Sequence, residues 1–261
     1  MALILVAHGT RRPGGVMMIE DLAAQVGTLV GGTVDVAFVD VVGPTPSEVL
    51  ARAKTAARAA IVVPAFLSRG YHVRADLPAH VAASGHSNVT VTPALGPSGQ
   101  IARIVGDQLV KCGWRPNDSV ILAAAGTSDD KARTDLHTTA TLVSALTGSR
   151  VSLAFAATGE PQLPEALERV IDRARARARR TGGRVVVASY LLADGQFQER
   201  LHGCGADLVS EPLGTHPGLA RLVANRFRRA LPPVLAPTAR HASRRSSPHQ
   251  LAHGRIVRSI P

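Results

Sequence analysis

The sequence predicts an α/β protein of two similar Rossmann-like domains, each a parallel sheet flanked by helices, facing one another across a cleft. Three observations carry that prediction. Apolar strand-like runs alternate with helical periodicity, the same order of runs occurs twice, and a Gly/Pro hinge, GWRPND at 113–118, lies between the repeats.

The elements follow in order. ALILVA (2–7) reads as a strand that runs into a glycine-rich loop, and Ile19, Leu22, Ala23, Val26 and Leu29 then recur at helical spacing. VDVAFVD (34–40) is a second strand; Pro44, Pro46 and Ser47 open a helix carrying Val49, Leu50, Ala53 and Ala57. AAIVVPAF (59–66) is apolar throughout, as a strand covered on both faces should be. VTVTP (89–93) is a fourth strand, and Ile101, Ile104, Val105 and Leu109 mark a closing helix. The pattern then recurs: LILVAHGT (3–10) matches SVILAAAGT (119–127), and VDVAFVD matches VSLAFAA (151–157), with Pro161 in the place of Pro44. IVVPAFLSRG (61–70) matches VVVASYLLADG (185–195), and LGPSGQIARIV (95–105) matches LGTHPGLARLV (213–223). Four matches in one order imply an internal duplication, with domains at 1–112 and 119–231 and a Pro/Ser/Arg/His-rich tail at 232–261 expected to be disordered.

Composition narrows the function. Of the residues 45% are hydrophobic but 3% aromatic, so the cores must be built from Ala, Val, Leu and Ile. No apolar run reaches the ~20 residues of a membrane helix, and MALILVAHGT lacks the basic start of a signal peptide. The two cysteines, Cys112 and Cys204, have no metal-ligand spacing, and a reducing cytoplasm is expected. The formal charge of +11 is uneven: five arginines and no acid lie after Pro232, and Arg173, Arg175, Arg177, Arg179 and Arg180 lie on one helix whose solvated face they are expected to mark. No aromatic residues accompany them, so nucleic-acid binding is not expected; a basic surface also suits an anionic small substrate.

The halves differ at their polar positions. His8 at the first strand end becomes Ala125, Asp40 becomes Ala157, and His72 falls in the region of Gln196–Phe197. Ligands of parallel sheets bind beyond the carboxyl ends of the strands, where His8, Asp40 and His72 all emerge. Two imidazoles and a carboxylate suit a divalent transition metal with open positions. Arg11, Arg12, Arg69 and Arg74 in the same loops suit several carboxylates of one ligand. His80, His86, His137, His202 and His216 have no partner pattern and read as surface or structural; His241, His249 and His253 read as chance histidines of a disordered or purification-like tail, a metal-catching tail being the alternative. The Gly pairs at 14–15 and 31–32 lack the GxGxxG spacing of a nucleotide site.

LVAHGTRRPGG, VAFVD with PTPSEVL after it, and PAFLSRGYHVRADLP resemble three signature stretches of the sirohydrochlorin chelatases, class II chelatases that insert cobalt or ferrous iron into sirohydrochlorin. The resemblance covers most of residues 1–230 and includes the long form with two homologous chelatase-like halves. It implies a lyase without organic cofactor, taking sirohydrochlorin and Fe²⁺ to sirohaem, or Co²⁺ on a route to cobalamin. It also implies that His8 and His72 bind the metal and move protons, and that Asp40 stands where a family acid, more usually Glu, assists the metal. A monomer resembling a fused dimer is expected. A non-catalytic tetrapyrrole or metal carrier is the alternative of a different class.

Overall fold

A computed structural model describes residues 1–157, 166–214 and 216–232. The tail expected to be disordered and the Pro161 match lie outside the described residues. Strands β1 (Ala2–Ala7), β2 (Val34–Phe38), β3 (Ala60–Pro64) and β4 (Val89–Val91) form one sheet in the order β2-β1-β3-β4. Strands β5 (Ser119–Ala124), β6 (Val151–Phe155), β7 (Val185–Tyr190) and β8 (Leu208–Val209) repeat that order as β6-β5-β7-β8. All six pairings are parallel. The expected fold class holds; β1 fills its expected run, whereas β2, β3 and β4 are shorter than the apolar runs suggested. The β1–β3 ladder runs to Pro64, where the Ala65 N–H donates to the Val6 carbonyl at 2.7 Å. Beyond Phe38 the chain leaves the strand and reaches Val41 in the left-handed region, at φ 70°.

Eight helices lie among the described residues: α1 (Pro13–Val30), α2 (Pro46–Thr55), α3 (Leu77–Ser84), α4 (Gly99–Lys111), α5 (Asp130–Thr147), α6 (Leu167–Thr181), α7 (Gln196–His202) and α8 (Pro217–Ala230). A five-residue π-helical turn, His72–Asp76, leads into α3. Capping fixes several starts: Thr45 and Glu48 form a reciprocal capping box on α2, and Ser98 and Asp129 cap α4 and α5. On α6, Arg173, Arg179 and Arg180 are exposed while Val170, Ile171, Ala174 and Ala178 are buried, as the expected solvated face requires.

Side chains of a strand alternate between faces, and this alternation sorts the core into layers. Ile4, Val6 and Val62 join Val49, Leu50 and Leu77 on one outer side; Ile121, Ala123 and Val187 join Val170, Ile171 and Leu201 on the other. The intervening positions, Leu5, Ile61 and Val63 with Leu122, Val186 and Ala188, belong to one central core with α1, α4, α5 and α8. Within it α1 packs on α8 and α4 on α5, while α4 also lies against β7 and α8 against β3. Each closing helix therefore covers the other repeat's sheet, and Met1–Leu231 forms one compact unit. No helix among the described residues is long and apolar enough to cross a membrane.

Candidate active site at the strand ends

His8 follows β1 directly, and the loop after it is tied to the loop after β2: the Asp40 N–H donates to the His8 carbonyl at 3.0 Å. Gly9 permits this approach. It has φ 100°, and a Cβ there would stand 2.1 Å from the Asp40 carbonyl oxygen. His72 opens the π-helical turn. Pro78, near the start of α3, has no N–H for the Arg74 carbonyl four residues back, so the preceding turn widens and Leu77 donates to the His72 carbonyl instead. The two strand ends thus bring His8 and His72 into edge-to-face contact, with ring centroids 4.4 Å apart. Phe66 stacks near-parallel to the His72 ring, with centroids 6.2 Å apart. Asp76 lies 2.5 Å from Nδ1 of His72, carboxylate oxygen to nitrogen.

His8 lines a cavity of about 550 Å³ between the repeats, together with Arg11, Val41, Leu192, Asp194 and Phe197. His72 lines a second pocket with Asp40, Tyr71, Asp76 and His80. The touching rings stand between the two.

The other expected site residues separate on inspection. Asp40 shares the His72 pocket, but its carboxylate accepts the Val41 N–H at 2.7 Å and so stabilises a left-handed conformation that a β-branched residue rarely adopts. Among the described residues, no three His, Cys, Asp or Glu side chains converge on a common metal-binding point. Of the four arginines, Arg11 lines the cavity and has no carboxylate partner among the described residues. Arg12 also lines it, but is paired with Glu199 through two hydrogen bonds, one of 3.0 Å. Arg69 grips Asp135 through its backbone N–H at 2.8 Å and its guanidinium at 2.5–3.2 Å; the Asp135 side chain is 1% exposed. Arg74 is paired with Asp129. These hydrogen bonds hold the Glu199 and Asp129 carboxyls below their ordinary range and raise the Arg12 and Arg69 guanidinium groups.

Sequence reasoning missed Asp76, Asp129, Asp135, Phe197 and Glu199. The i,i+4 spacing of His72 and Asp76 was a signal for one. Setting Arg12 against Asp129 and Arg74 against Glu199 in the aligned repeats was a signal for two more. The histidines read as structural behave so where described: His80 meets Ser47 at 3.2 Å, His86 the Arg58 carbonyl at 2.9 Å, and His216 caps α8.

Comparison with known proteins adds the family. The CbiX family model matches residues 2–112 and again 119–230. The sirohydrochlorin cobaltochelatase of Methanopyrus kandleri is 34% identical over 80 residues, 30% of this chain. That match spans 56% of the archaeal protein's own length. Among solved structures, SirB from Bacillus subtilis with Fe³⁺ superposes with a TM-score of 0.72 at 19% identity, covering 87% of this chain and 94% of SirB. The sirohydrochlorin chelatase SirB of Bacillus subtilis subspecies spizizenii in complex with cobalt gives 0.68 at 19%, with 87% and 94% covered. CbiX, described as the terminal enzyme for biosynthesis of siroheme in denitrifying bacteria, gives 0.65 at 18%, with 89% and 100% covered. At these identities the structural likeness bears on the fold.

Proposed function

The chain belongs to the CbiX family, and from that premise we propose that it is a sirohydrochlorin chelatase, a lyase that inserts Fe²⁺ into sirohydrochlorin to give sirohaem. The observation that carries the reading is the His8–His72 ring contact beside an apolar-walled cavity. A flat, polycarboxylated macrocycle suits that cavity: Leu192, Val41 and Phe197 offer apolar surface, and Arg11 offers an uncommitted cation for a carboxylate. In this reading the metal is a substrate. Neutral imidazoles of His8 and His72 hold it at the ring, and two pyrrole N–H protons leave as two metal–nitrogen bonds form. As the metal passes from the imidazoles to the ring, the nitrogens it leaves are free to accept those protons and pass them to solvent, since imidazole accepts protons near neutral pH. Asp40 acts by holding the loop that carries Val41, and Arg12, Arg69 and Arg74 act by joining the repeats; Arg11 is the arginine assigned to substrate.

The reaction needs neither a nucleotide nor an organic cofactor. The reading includes a monomer resembling a fused dimer, which the duplication supports. A cytoplasmic setting fits the free thiols of Cys112 and Cys204, both of which burial raises above the ordinary range. Cobalt is the second reading, favoured by the activity named for the Methanopyrus kandleri relative. Anaerobic absorption spectroscopy of sirohydrochlorin with Fe²⁺ or Co²⁺, with and without protein, tests both. Protein-dependent conversion faster with iron supports the first reading, and faster with cobalt the second. Binding of tetrapyrrole without acceleration by either metal would replace the enzyme with a carrier.

A further inference from the structure

We propose that Asp76 is a positioning residue that holds His72 as the Nδ1–H tautomer, leaving the unprotonated Nε2 to take the metal. This deepens the chelatase reading and rests on it for the metal's role in catalysis.

The 2.5 Å contact between His72 Nδ1 and the Asp76 carboxylate fixes the proton. An ionised carboxylate only accepts, so the shared hydrogen belongs to Nδ1, and in the neutral ring the lone pair is then on Nε2. The ring is also held by its edge-to-face contact with His8 and its stacking with Phe66. Asp76 is not diverted to helix capping. It stands at the start of α3, yet its side chain makes no capping hydrogen bond there. His8 is arranged alike but more weakly. Its Nδ1 lies 3.1 Å from the Gly9 carbonyl, an acceptor without charge, which again leaves Nε2 unprotonated.

The duplicate repeat supplies an independent observation. Counting from the matched strand ends, Phe197 stands where His72 does and Leu201 where Asp76 does. Both members of the pair are absent together. The π-helical turn is absent too: residues 196–202 form the regular helix α7, and Leu201 is fully buried in the apolar core. A carboxylate needed only to start a helix would have no reason to vanish with the histidine, whereas one that serves to hold that histidine would.

The test uses ¹⁵N-labelled full-length protein without tetrapyrrole. Long-range ¹H–¹⁵N correlation at about pH 8, above the ordinary imidazole range, reads each tautomer directly. Wild-type His72 is expected as Nδ1–H, and Asp76→Ala should move it to the Nε2–H form that free imidazole prefers in water. Titration with Co²⁺ alone should then show affinity weakened roughly ten- to a hundredfold, with the metal-free His8 tautomer and thermal unfolding unchanged. Asp76→Asn, which keeps shape and a neutral acceptor, should lie between, and it carries the test if the alanine variant does not fold. An unchanged tautomer, or unchanged Co²⁺ affinity in both variants, would overturn the proposal. Because neither measurement involves turnover, a protein that shifts tautomer as expected but fails to metallate sirohydrochlorin would refute the chelatase reading and leave the positioning role standing.

Discussion

Around the rim of the cleft the first repeat presents Arg12, Arg69 and Arg74, and at the counterpart positions the second presents Asp129, Asp194 and Glu199. The ion pairs Arg12–Glu199 and Arg74–Asp129 are therefore one contact formed twice with the signs exchanged. Two identical halves would set Arg12 against Arg74, or Asp129 against Glu199, so this arrangement favours unlike halves by like-charge repulsion. The third position breaks the symmetry further. Met18 and Asp194 line the open cavity, while their counterparts Asp135 and Arg69 are joined to each other. One site is open and its counterpart is bridged. The repeat with the bridge's buried acid is also the one that lacks both histidines. Duplication thus separated two roles, with the imidazoles on the first repeat and, on the second, a wall and the acids that hold the first in place.

The comparison can be broken most severely at the histidine. His72→Phe, which installs the residue of the duplicate, should reduce metal insertion by ~10²–10⁴-fold at limiting metal with little change in thermal unfolding. Adding Phe197→His should not restore it, since Leu201 occupies the place of Asp76. Next comes the bridge. Arg69→Ala leaves Asp135 buried without its guanidinium and should cost about 2–3 kcal/mol in urea unfolding. This lies at or below the low end for a buried pair because the Arg69 side chain is 59% exposed. Smaller still is the exposed pair. Arg12→Glu should slightly lower the unfolding midpoint, and Glu199→Arg in the same chain should return it, since the contact is preserved with signs reversed.

The smallest effect concerns pH. Burial, with help from Lys111 and Arg221 and against Asp107, lowers the His216 imidazole below its ordinary range. Its neutral Nδ1 accepts the Gly218 N–H at 3.0 Å and so caps α8. The unfolded chain binds that proton more readily than the folded one. The stabilisation is thus complete above about pH 6.5 and falls away as pH drops toward the lowered folded value. His216→Asn keeps a capping acceptor without a titrating group, and should flatten the fall in unfolding midpoint on acidification.

The parallel strands, the repeat and the shared rim of His8 and His72 were legible because strand periodicity and loop position dictate them locally. What was not legible depends on contacts across the chain. The apolar spacing of α4 and α8 marks a buried face on each, but not that α4 lies against β7 and α8 against β3. The expected substrate roles of Arg69 and Arg74 follow from loop position alone, whereas their partners Asp135 and Asp129 are more than fifty residues away in sequence. Asp40 was legible as an acid at a strand end, but not that its carboxylate accepts the backbone N–H one residue on.

The central claim, that the first repeat's histidines carry the chemistry, is tested most directly by single-turnover insertion of Fe²⁺ into sirohydrochlorin under anaerobic, metal-limited conditions. Wild type and His8→Ala are compared after both have shown the same thermal unfolding, with the uncatalysed rate subtracted. We predict that wild type accelerates insertion and that His8→Ala loses ~10²-fold or more of that acceleration. A His8→Ala protein that inserts iron at the wild-type rate would contradict the account and move the search for the metal site away from the β1 and β3 strand ends.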